Sequence, residues 1–177
     1  MYKRMLTTRS LCVSAAIAAL YAVLTIVLAP ISYASIQLRV SEAMTILPVL
    51  MPEAIPGLTI GCLIANAYGL SSGLTTVLDV IFGTLATLIA ALGTWFLRSR
   101  TLPVRQIGRS EPFALPLLSA LCPVLSNALI VGAVLTVSFN LPFLLTAVEV
   151  GVGELLAVII GLILLPAFRR IDKELTR

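Results

Sequence analysis

Long apolar segments separated by short polar ones make up nearly the whole chain of 177 residues. Roughly 20 apolar helical residues cross a hydrocarbon core about 30 Å thick, and four segments meet this requirement easily. The region 41–70 is different, because Pro48, Pro52 and Pro56 cannot all lie inside one continuous helix, so we divide it into two short crossings. The pattern predicts six helices, at about 11–30, 41–51, 56–70, 74–97, 113–138 and 142–167.

Composition assigns the chain to the membrane. It is 59% hydrophobic and only 11% charged, whereas a soluble domain carries about 25% charged residues. We therefore expect an all-α integral membrane protein with a single transmembrane domain over 1–177. The basic head and first apolar run imitate a secretory signal, but the run continues to about Ile31 without a small-residue cleavage site, which favours a retained helix.

The basic residues indicate the topology. Eleven of the 12 Lys and Arg residues fall in three clusters, at the amino end, in the loop "RSRTLPVRQIGRSEP" and at the carboxyl end. Cytoplasmic loops collect such residues, and the three clusters share one side only if an even number of crossings separates each pair. Six helices satisfy this condition, with both termini cytoplasmic and Arg39 alone facing outward.

Several kinds of chemistry are not expected. The chain has no histidine, and Cys12, Cys62 and Cys122 lie in apolar stretches where thiols act as small hydrophobes, so we expect no metal site and no cofactor. No G-x-x-x-x-G-K-[ST] loop and no nucleophile with a histidine base occurs, so the chain is not expected to be an enzyme. The basic residues flank apolar segments instead of alternating with aromatics, which argues against a nucleic-acid partner.

The candidate site consists of polar and charged residues inside the predicted helices or in the loop that leads to the second one. One such charge costs about 3 kcal/mol at the bilayer centre, so these residues lie at interfaces, pair with each other or line a cavity. Six of them fall in the outer half of the predicted bundle: Gln37, Arg39, Glu42, Asp79, Asn127 and Glu149. Apart from Arg39 the set is neutral or negative, and it suits a small polar ligand with several N–H donors.

Within this set the sequence predicts individual roles. Glu149 and Glu154 lie roughly 140° apart on one helix, so we expect Glu149 to bind ligand and Glu154 to contact a neighbouring helix. Asn127 is either a second ligand anchor or an interhelical hydrogen-bond partner. Asp79 either touches ligand or caps a neighbouring group.

The segment around Glu42 carries capping signals. Ser41 and Glu42 look like a cap and a first-turn acid of the second helix, and Arg39 is close enough in sequence to pair with Glu42. Glu53 begins the third helix, where a carboxylate favours the positive end of the helix dipole.

Small residues spaced by four mark faces where helices approach closely. Ala15 and Ala19 form one such face in the first helix, and Gly57, Gly61 and Ala65 form another in the third.

Two blocks, "QLRVSEAMTILPVLMPEAIPGLTIGCLIANAYG" and "LDVIFGTLATLIAAL", resemble the QueT family of queuosine-precursor transporters, with the likeness running from about residue 10 to 168. Members are substrate-binding (S) components of energy-coupling factor (ECF) transporters. The resemblance implies a multi-pass protein of the bacterial cell membrane that captures a 7-deazaguanine base such as queuine or 7-aminomethyl-7-deazaguanine. It also implies a separate coupling transmembrane protein and two ATPase subunits, with Ala15 and Ala19 docking on the coupling protein.

The resemblance implies how the candidate site residues contact this ligand. A carboxylate accepts both the N–H and the amino group of a guanine-like edge, and we expect Glu149 to do so, with Asn127 or Gln37 reading the carbonyl. An aminomethyl cation would meet a second acid, Glu42 or Asp79. Tyr33 is expected to stack on the ring, and Arg39 to pair with Glu42.

Three alternatives remain at this point. The chain is an S component for another small vitamin-like nutrient, since such proteins share a fold and differ in pocket chemistry. It is a stand-alone facilitator or channel that needs no ATPase. Or it is a membrane assembly factor whose acids only join helices.

Overall fold

The computed structural model describes residues 7–32, 38–101 and 114–176, and within these ranges it contains helices and no β-strand. In chain order the elements are α1 (Thr8–Val27), the single turn α2 (Ala29–Ser32), a 3₁₀ helix (Val40–Val49), α3 (Ala54–Ser71), a π-helical turn (Asp79–Gly83), α4 (Thr84–Thr101), α5 (Ala114–Phe139) and α6 (Phe143–Thr176).

Five of these segments are long and apolar enough to cross a membrane. They are α1, α3, the π-helical turn continued by α4, α5 and α6, and each has half or less of its most apolar 18-residue window buried inside the protein. The outward faces carry exposed leucine, isoleucine, valine and phenylalanine side chains, which suits a surface in contact with lipid. The prediction of an all-α, multi-pass membrane protein is confirmed.

The 3₁₀ helix lies at the centre of the bundle. It contacts all five long helices, and every residue from Ser41 to Val49 is buried. Ten residues at a rise of about 2.0 Å extend for roughly 20 Å, which is shorter than the hydrocarbon core. The segment predicted as a short second crossing is therefore a buried 3₁₀ helix surrounded by the longer helices, and whether it crosses the membrane stays a prediction.

The three prolines interrupt the chain as their spacing predicts. Pro48 lies within the 3₁₀ helix, Pro52 lies in the turn that follows it, and Pro56 lies in the first turn of α3. A proline lacks the backbone N–H and is tolerated in a first helical turn, where N–H groups have no intrahelical partner. The prolines thus separate the 3₁₀ helix from α3.

Hydrogen bonds fix the direction of these elements relative to α1. Thr25, near the end of α1, shares a 2.6 Å hydroxyl–hydroxyl contact with Ser41 at the start of the 3₁₀ helix. Ser14, near the beginning of α1, donates to the Glu53 carbonyl oxygen at 2.8 Å. The 3₁₀ helix therefore runs antiparallel to α1 and brings the chain back before α3 starts. Six crossings and cytoplasmic termini stay predictions.

Glycines permit the closest helix contacts. A β-carbon added at Gly61 would lie 2.8 Å from the Ala18 carbonyl oxygen and 2.8 Å from the β-carbon of Tyr21. An added β-carbon at Gly161 of α6 would collide with the Ala43 carbonyl group of the 3₁₀ helix. The small-residue face of α3 therefore packs against α1, and α6 reaches the central helix through a glycine.

Candidate substrate-binding site

Buried polar residues from four separate parts of the chain meet where the 3₁₀ helix begins. Tyr21 comes from α1, Arg39 and Glu42 from the start of the 3₁₀ helix, Asn127 from α5 and Glu154 from α6. All five side chains are buried. We call this set the polar cluster.

Glu42 is held from two directions. The Tyr21 hydroxyl donates a hydrogen bond to Oε1 of Glu42, and Arg39 is close enough to interact electrostatically with the same carboxylate. The backbone N–H of Glu42 donates to the Arg39 carbonyl oxygen at 2.9 Å, which forms the first turn of the helix. The Oε2 atom of Glu42 is buried, and among the described residues it has no hydrogen-bond partner.

Glu154 has a similar arrangement on α6. The Asn127 side chain lies near its carboxylate, and Glu42 and Arg39 lie within range of electrostatic interaction. The residue is 6% exposed, and its Oε1 atom has no hydrogen-bond partner within the described part of the chain. Two helices thus each bring one carboxylate oxygen without a described partner into the interior.

The charges of the polar cluster do not balance. Two carboxylates face one guanidinium group, and an uncompensated charge in a dry interior is costly. A proton on one carboxyl group or a cationic group of a bound molecule would balance the charge, and N–H donors of such a molecule would satisfy the carboxylate oxygens that have no described partner. The arrangement is therefore suited to a ligand that carries N–H donors.

A second buried network adjoins the cluster through Cys62 of α3. The Cys62 sulfur accepts hydrogen bonds from Thr87 at 3.2 Å and from Asn66 at 3.3 Å, and Cys62 and Tyr21 belong to the same buried cluster. The expectation that this thiol acts only as a small hydrophobe is therefore incomplete, since it also accepts hydrogen bonds. Through it, α3 and α4 support the position of Tyr21.

The structure places Asp79 in a capping role. Its Oδ2 atom accepts hydrogen bonds at 2.8 Å from both the backbone N–H and the hydroxyl of Thr76, and its own N–H donates to the Thr76 hydroxyl at 3.3 Å. This reciprocal pattern is a capping box. Asn66 donates to the Asp79 carbonyl oxygen at 3.1 Å, where the π-helical turn begins. Of the two roles expected for Asp79, capping is the one with described contacts.

The sequence predicted that Glu149 binds ligand and that Glu154 contacts a neighbouring helix, but Glu154 is the more deeply buried of the two acids. Glu149 is half-buried, at the edge of the buried face, whereas Glu154 is near the middle of that face and lies near Asn127. Glu154 does contact a neighbouring helix, as expected, but it also brings an oxygen without a described partner to the cluster. A ligand role for Glu149 stays a prediction. Tyr33 and Gln37 lie outside the described residues.

Capping of the 3₁₀ helix differs from expectation at one residue. Arg39, not Ser41, occupies the cap position, and the Ser41 hydroxyl instead contacts Thr25 of α1. Glu42 is in the first turn, as expected, and Arg39 lies within electrostatic range of it. Glu53 occupies the cap position of α3 without a side-chain capping bond.

Sequence reasoning missed Tyr21. Its signal is weak but present, because Ser14, Tyr21 and Thr25 share one face of α1 at helical spacing, and all three are buried. A polar face on a helix that is otherwise apolar indicates contact with other polar groups inside the bundle. The exposed alanines Ala15 and Ala19 lie on a different side of the same helix.

The fold and the polar cluster define a class of protein: a multi-pass, all-helical membrane protein that encloses charged and amide side chains within its bundle. The model of the QueT transporter family matches residues 11–170, so the chain belongs to this family and is a membrane transport protein. The resemblance noted from the sequence is thereby confirmed over most of the chain. Neither the curated proteins nor the solved structures that we searched contain a match to it.

Proposed function

We propose that this protein is the substrate-binding component of an ECF transporter and that it takes up a queuosine precursor, a 7-deazaguanine base such as queuine or 7-aminomethyl-7-deazaguanine. The proposal is supported by membership of the QueT transporter family. One observation carries the choice of site: Glu42 and Glu154 each present a buried carboxylate oxygen without a partner among the described residues.

The donors of a deazaguanine complement these oxygens. Its pyrimidine edge offers a ring N–H beside an exocyclic amino group, and one carboxylate accepts from both in a charge-assisted pair. Glu154 is our choice for this role, because Asn127 beside it has a second N–H that can donate to the neighbouring carbonyl of the base. The ligand thereby supplies hydrogen bonds that the buried acids otherwise lack.

Glu42 is then the acid that faces the substituent at position 7 of the base. An aminomethyl group carries a positive charge, and a carboxylate oriented by Tyr21 is a suitable partner for it. Arg39 lies within electrostatic range of the same carboxylate and offsets part of its charge. Contacts from Tyr33, Gln37 and Glu149 are further proposals, which rest on the sequence alone.

Energy is proposed to come from other chains. The sequence has no phosphate-binding loop, which fits an ECF arrangement in which a coupling transmembrane protein and two ATPases drive release. Ala15 and Ala19 are exposed one turn apart on α1, and small residues there allow a partner helix to approach closely. We propose this face as the docking surface for the coupling protein.

The direct test is ligand binding by the purified full chain. Calorimetric titrations with queuine, 7-aminomethyl-7-deazaguanine, guanine and a panel of vitamins are expected to give tight binding of a deazaguanine only. Preferential binding of a vitamin would identify that vitamin as the substrate in place of a deazaguanine. Failure to bind any of these compounds would overturn the proposal.

A second measurement tests the energy source. Uptake of the labelled base into proteoliposomes is expected only when the coupling protein and the ATPases are present and ATP is supplied. Uptake by the chain alone would identify a facilitator instead.

A further inference from the structure

A groove on the side of the bundle is separate from the polar cluster. It has a volume of about 450 Å³ and opens between α1, the later part of the 3₁₀ helix and the last turns of α6. Its walls are apolar, and they include Cys12 and Ala16 of α1, Leu47 of the 3₁₀ helix and Phe168 of α6. Among the described residues that line it, Arg9 is the one charged side chain.

The position of Arg9 gives the groove a polarity. On α1 the groove extends from Arg9 to Leu20, which is about 16 Å along the helix axis. Arg9 is exposed in the first turn of α1, at the end that the charge pattern predicts to be cytoplasmic. The groove thus combines apolar walls with one cation, Arg9, at the end that is predicted to lie at the level of the headgroups.

We propose that this groove binds an anionic phospholipid of the inner leaflet, with one acyl chain along its apolar walls and the headgroup phosphate on Arg9. Guanidinium groups pair with phosphate through two parallel hydrogen bonds, and basic sites beside transmembrane helices attract anionic headgroups. The beginning of α1 adds the positive end of its helix dipole. An acidic residue, Asp172, lies one turn beyond Phe168 on α6, and it already interacts with another group of the protein.

Other occupants fit this groove less well. A deazaguanine would lose its hydrogen bonds to water, because the apolar walls offer no replacements. A partner helix suits the small-residue face of Ala15 and Ala19, which is not part of the groove lining. A narrow apolar concavity that faces the bilayer suits a flexible hydrocarbon chain.

Native mass spectrometry of the purified full chain tests the lipid. The protein is delipidated and mixed with equal amounts of dioleoyl phosphatidylglycerol and dioleoyl phosphatidylcholine, which have the same acyl chains. We expect a preference for phosphatidylglycerol of about fivefold, since one basic residue near the headgroups contributes about 1 kcal/mol. Equal retention of the two lipids would overturn the proposal.

Two pairs of variants locate the lipid. Arg9→Gln is expected to reduce the preference to near one, whereas Arg100→Gln retains it, because Arg100 stacks on Phe96 at 4.9 Å and does not line the groove. Ala16→Phe is expected to lower the amount of bound phosphatidylglycerol several-fold, and Ala15→Phe is expected to leave it unchanged. Equal effects within either pair would refute the groove as the binding site.

Binding of the deazaguanine is measured on the same variants. Because the groove is separate from the polar cluster, Arg9→Gln and Ala16→Phe are expected to retain affinity for the base. A failure of the lipid proposal is therefore distinguishable from a failure of the proposed transport function.

Discussion

Tyr21 of α1 donates its phenolic hydrogen to Glu42 of the central 3₁₀ helix, and both side chains are fully enclosed by the bundle. The bond occupies one oxygen of the carboxylate and orients the other, for which no described residue is a partner. Because one end of the contact lies on α1, which carries the proposed docking face, this bond links that helix to the proposed substrate site.

Removing the Tyr21 hydroxyl is expected to weaken ligand binding. A hydrogen bond to a charged group contributes about 1.5–3 kcal/mol to stability, so the loss in affinity from misorienting Glu42 should be at most roughly tenfold to a hundredfold. Titration of 7-aminomethyl-7-deazaguanine into Tyr21→Phe protein measures this loss. Tyr68→Phe, at an exposed position near the end of α3, is the control with unchanged affinity. Wild-type affinity in Tyr21→Phe would mean that this bond does not position a ligand group.

The two acids of α6 are expected to behave differently. Glu154→Gln replaces a charge-assisted acceptor by an amide in the buried cluster, and the affinity for the base should fall at least tenfold. Glu149→Gln, which changes a half-buried residue on the same helix, is the matched comparison and should lower the affinity less than Glu154→Gln does. If Glu149→Gln lost affinity while Glu154→Gln kept it, Glu149 would be the ligand-binding acid, as the sequence predicted. The site would then lie at the edge of the buried face of α6.

Asp79 is expected to affect stability and not substrate recognition. Loss of a capping bond costs about 0.5–2 kcal/mol, so Asp79→Ala and Thr76→Ala should lower the thermal unfolding temperature in detergent by similar amounts. Both variants should bind the base with normal affinity once folded. A loss of affinity confined to Asp79→Ala would instead indicate that its carboxylate contacts ligand.

Gly61 tests the contact between α1 and α3. An added methyl group would lie 2.8 Å from the Ala18 carbonyl oxygen, and overpacking of this kind costs about 1–3 kcal/mol. Gly61→Ala is therefore expected to lower the unfolding temperature. Gly151→Ala is the control, because its new β-carbon would be 3.4 Å from the Ala128 β-carbon, an ordinary contact. Equal stability of the two variants would show that the helices separate easily at Gly61.

The docking face on α1 is expected to matter for transport alone. Ala15→Trp or Ala19→Trp places a bulky ring on an exposed surface, so binding of the base by the isolated chain should be retained, whereas uptake with the coupling module should be abolished. Ala133→Trp, an exposed alanine of α5, is the control with normal uptake. Normal uptake in Ala15→Trp and Ala19→Trp would remove this face from the interface.

Much of the fold follows from local pattern. Apolar length and low charge are sufficient to recognise membrane helices, because the bilayer demands both along a continuous stretch. The three prolines between 48 and 56 end one helix before the next starts, since each lacks a backbone donor. These features depend on neighbours in sequence, and no knowledge of the packing is needed to interpret them.

The site was only partly predictable, because it depends on how helices pack and not on neighbours in sequence. Arg39, Glu42 and Asn127 stand out as polar residues in apolar surroundings, and all three are in the polar cluster. Hydropathy does not reveal which face of α6 points inward. That choice decides between Glu149 and Glu154, and it depends on contacts with α5 and the 3₁₀ helix.

The sequence by itself determined the membrane class, the family and the set of charged residues that must be accommodated within the bundle. Only the tertiary structure decided that a ten-residue 3₁₀ helix occupies the centre and that Tyr21, Glu42, Asn127 and Glu154 converge around its beginning. The physical reason is the range of the interactions. The free energy of transfer into lipid acts on each segment independently, whereas the polar cluster forms only when helices as far apart in the chain as those of Tyr21 and Glu154 pack together.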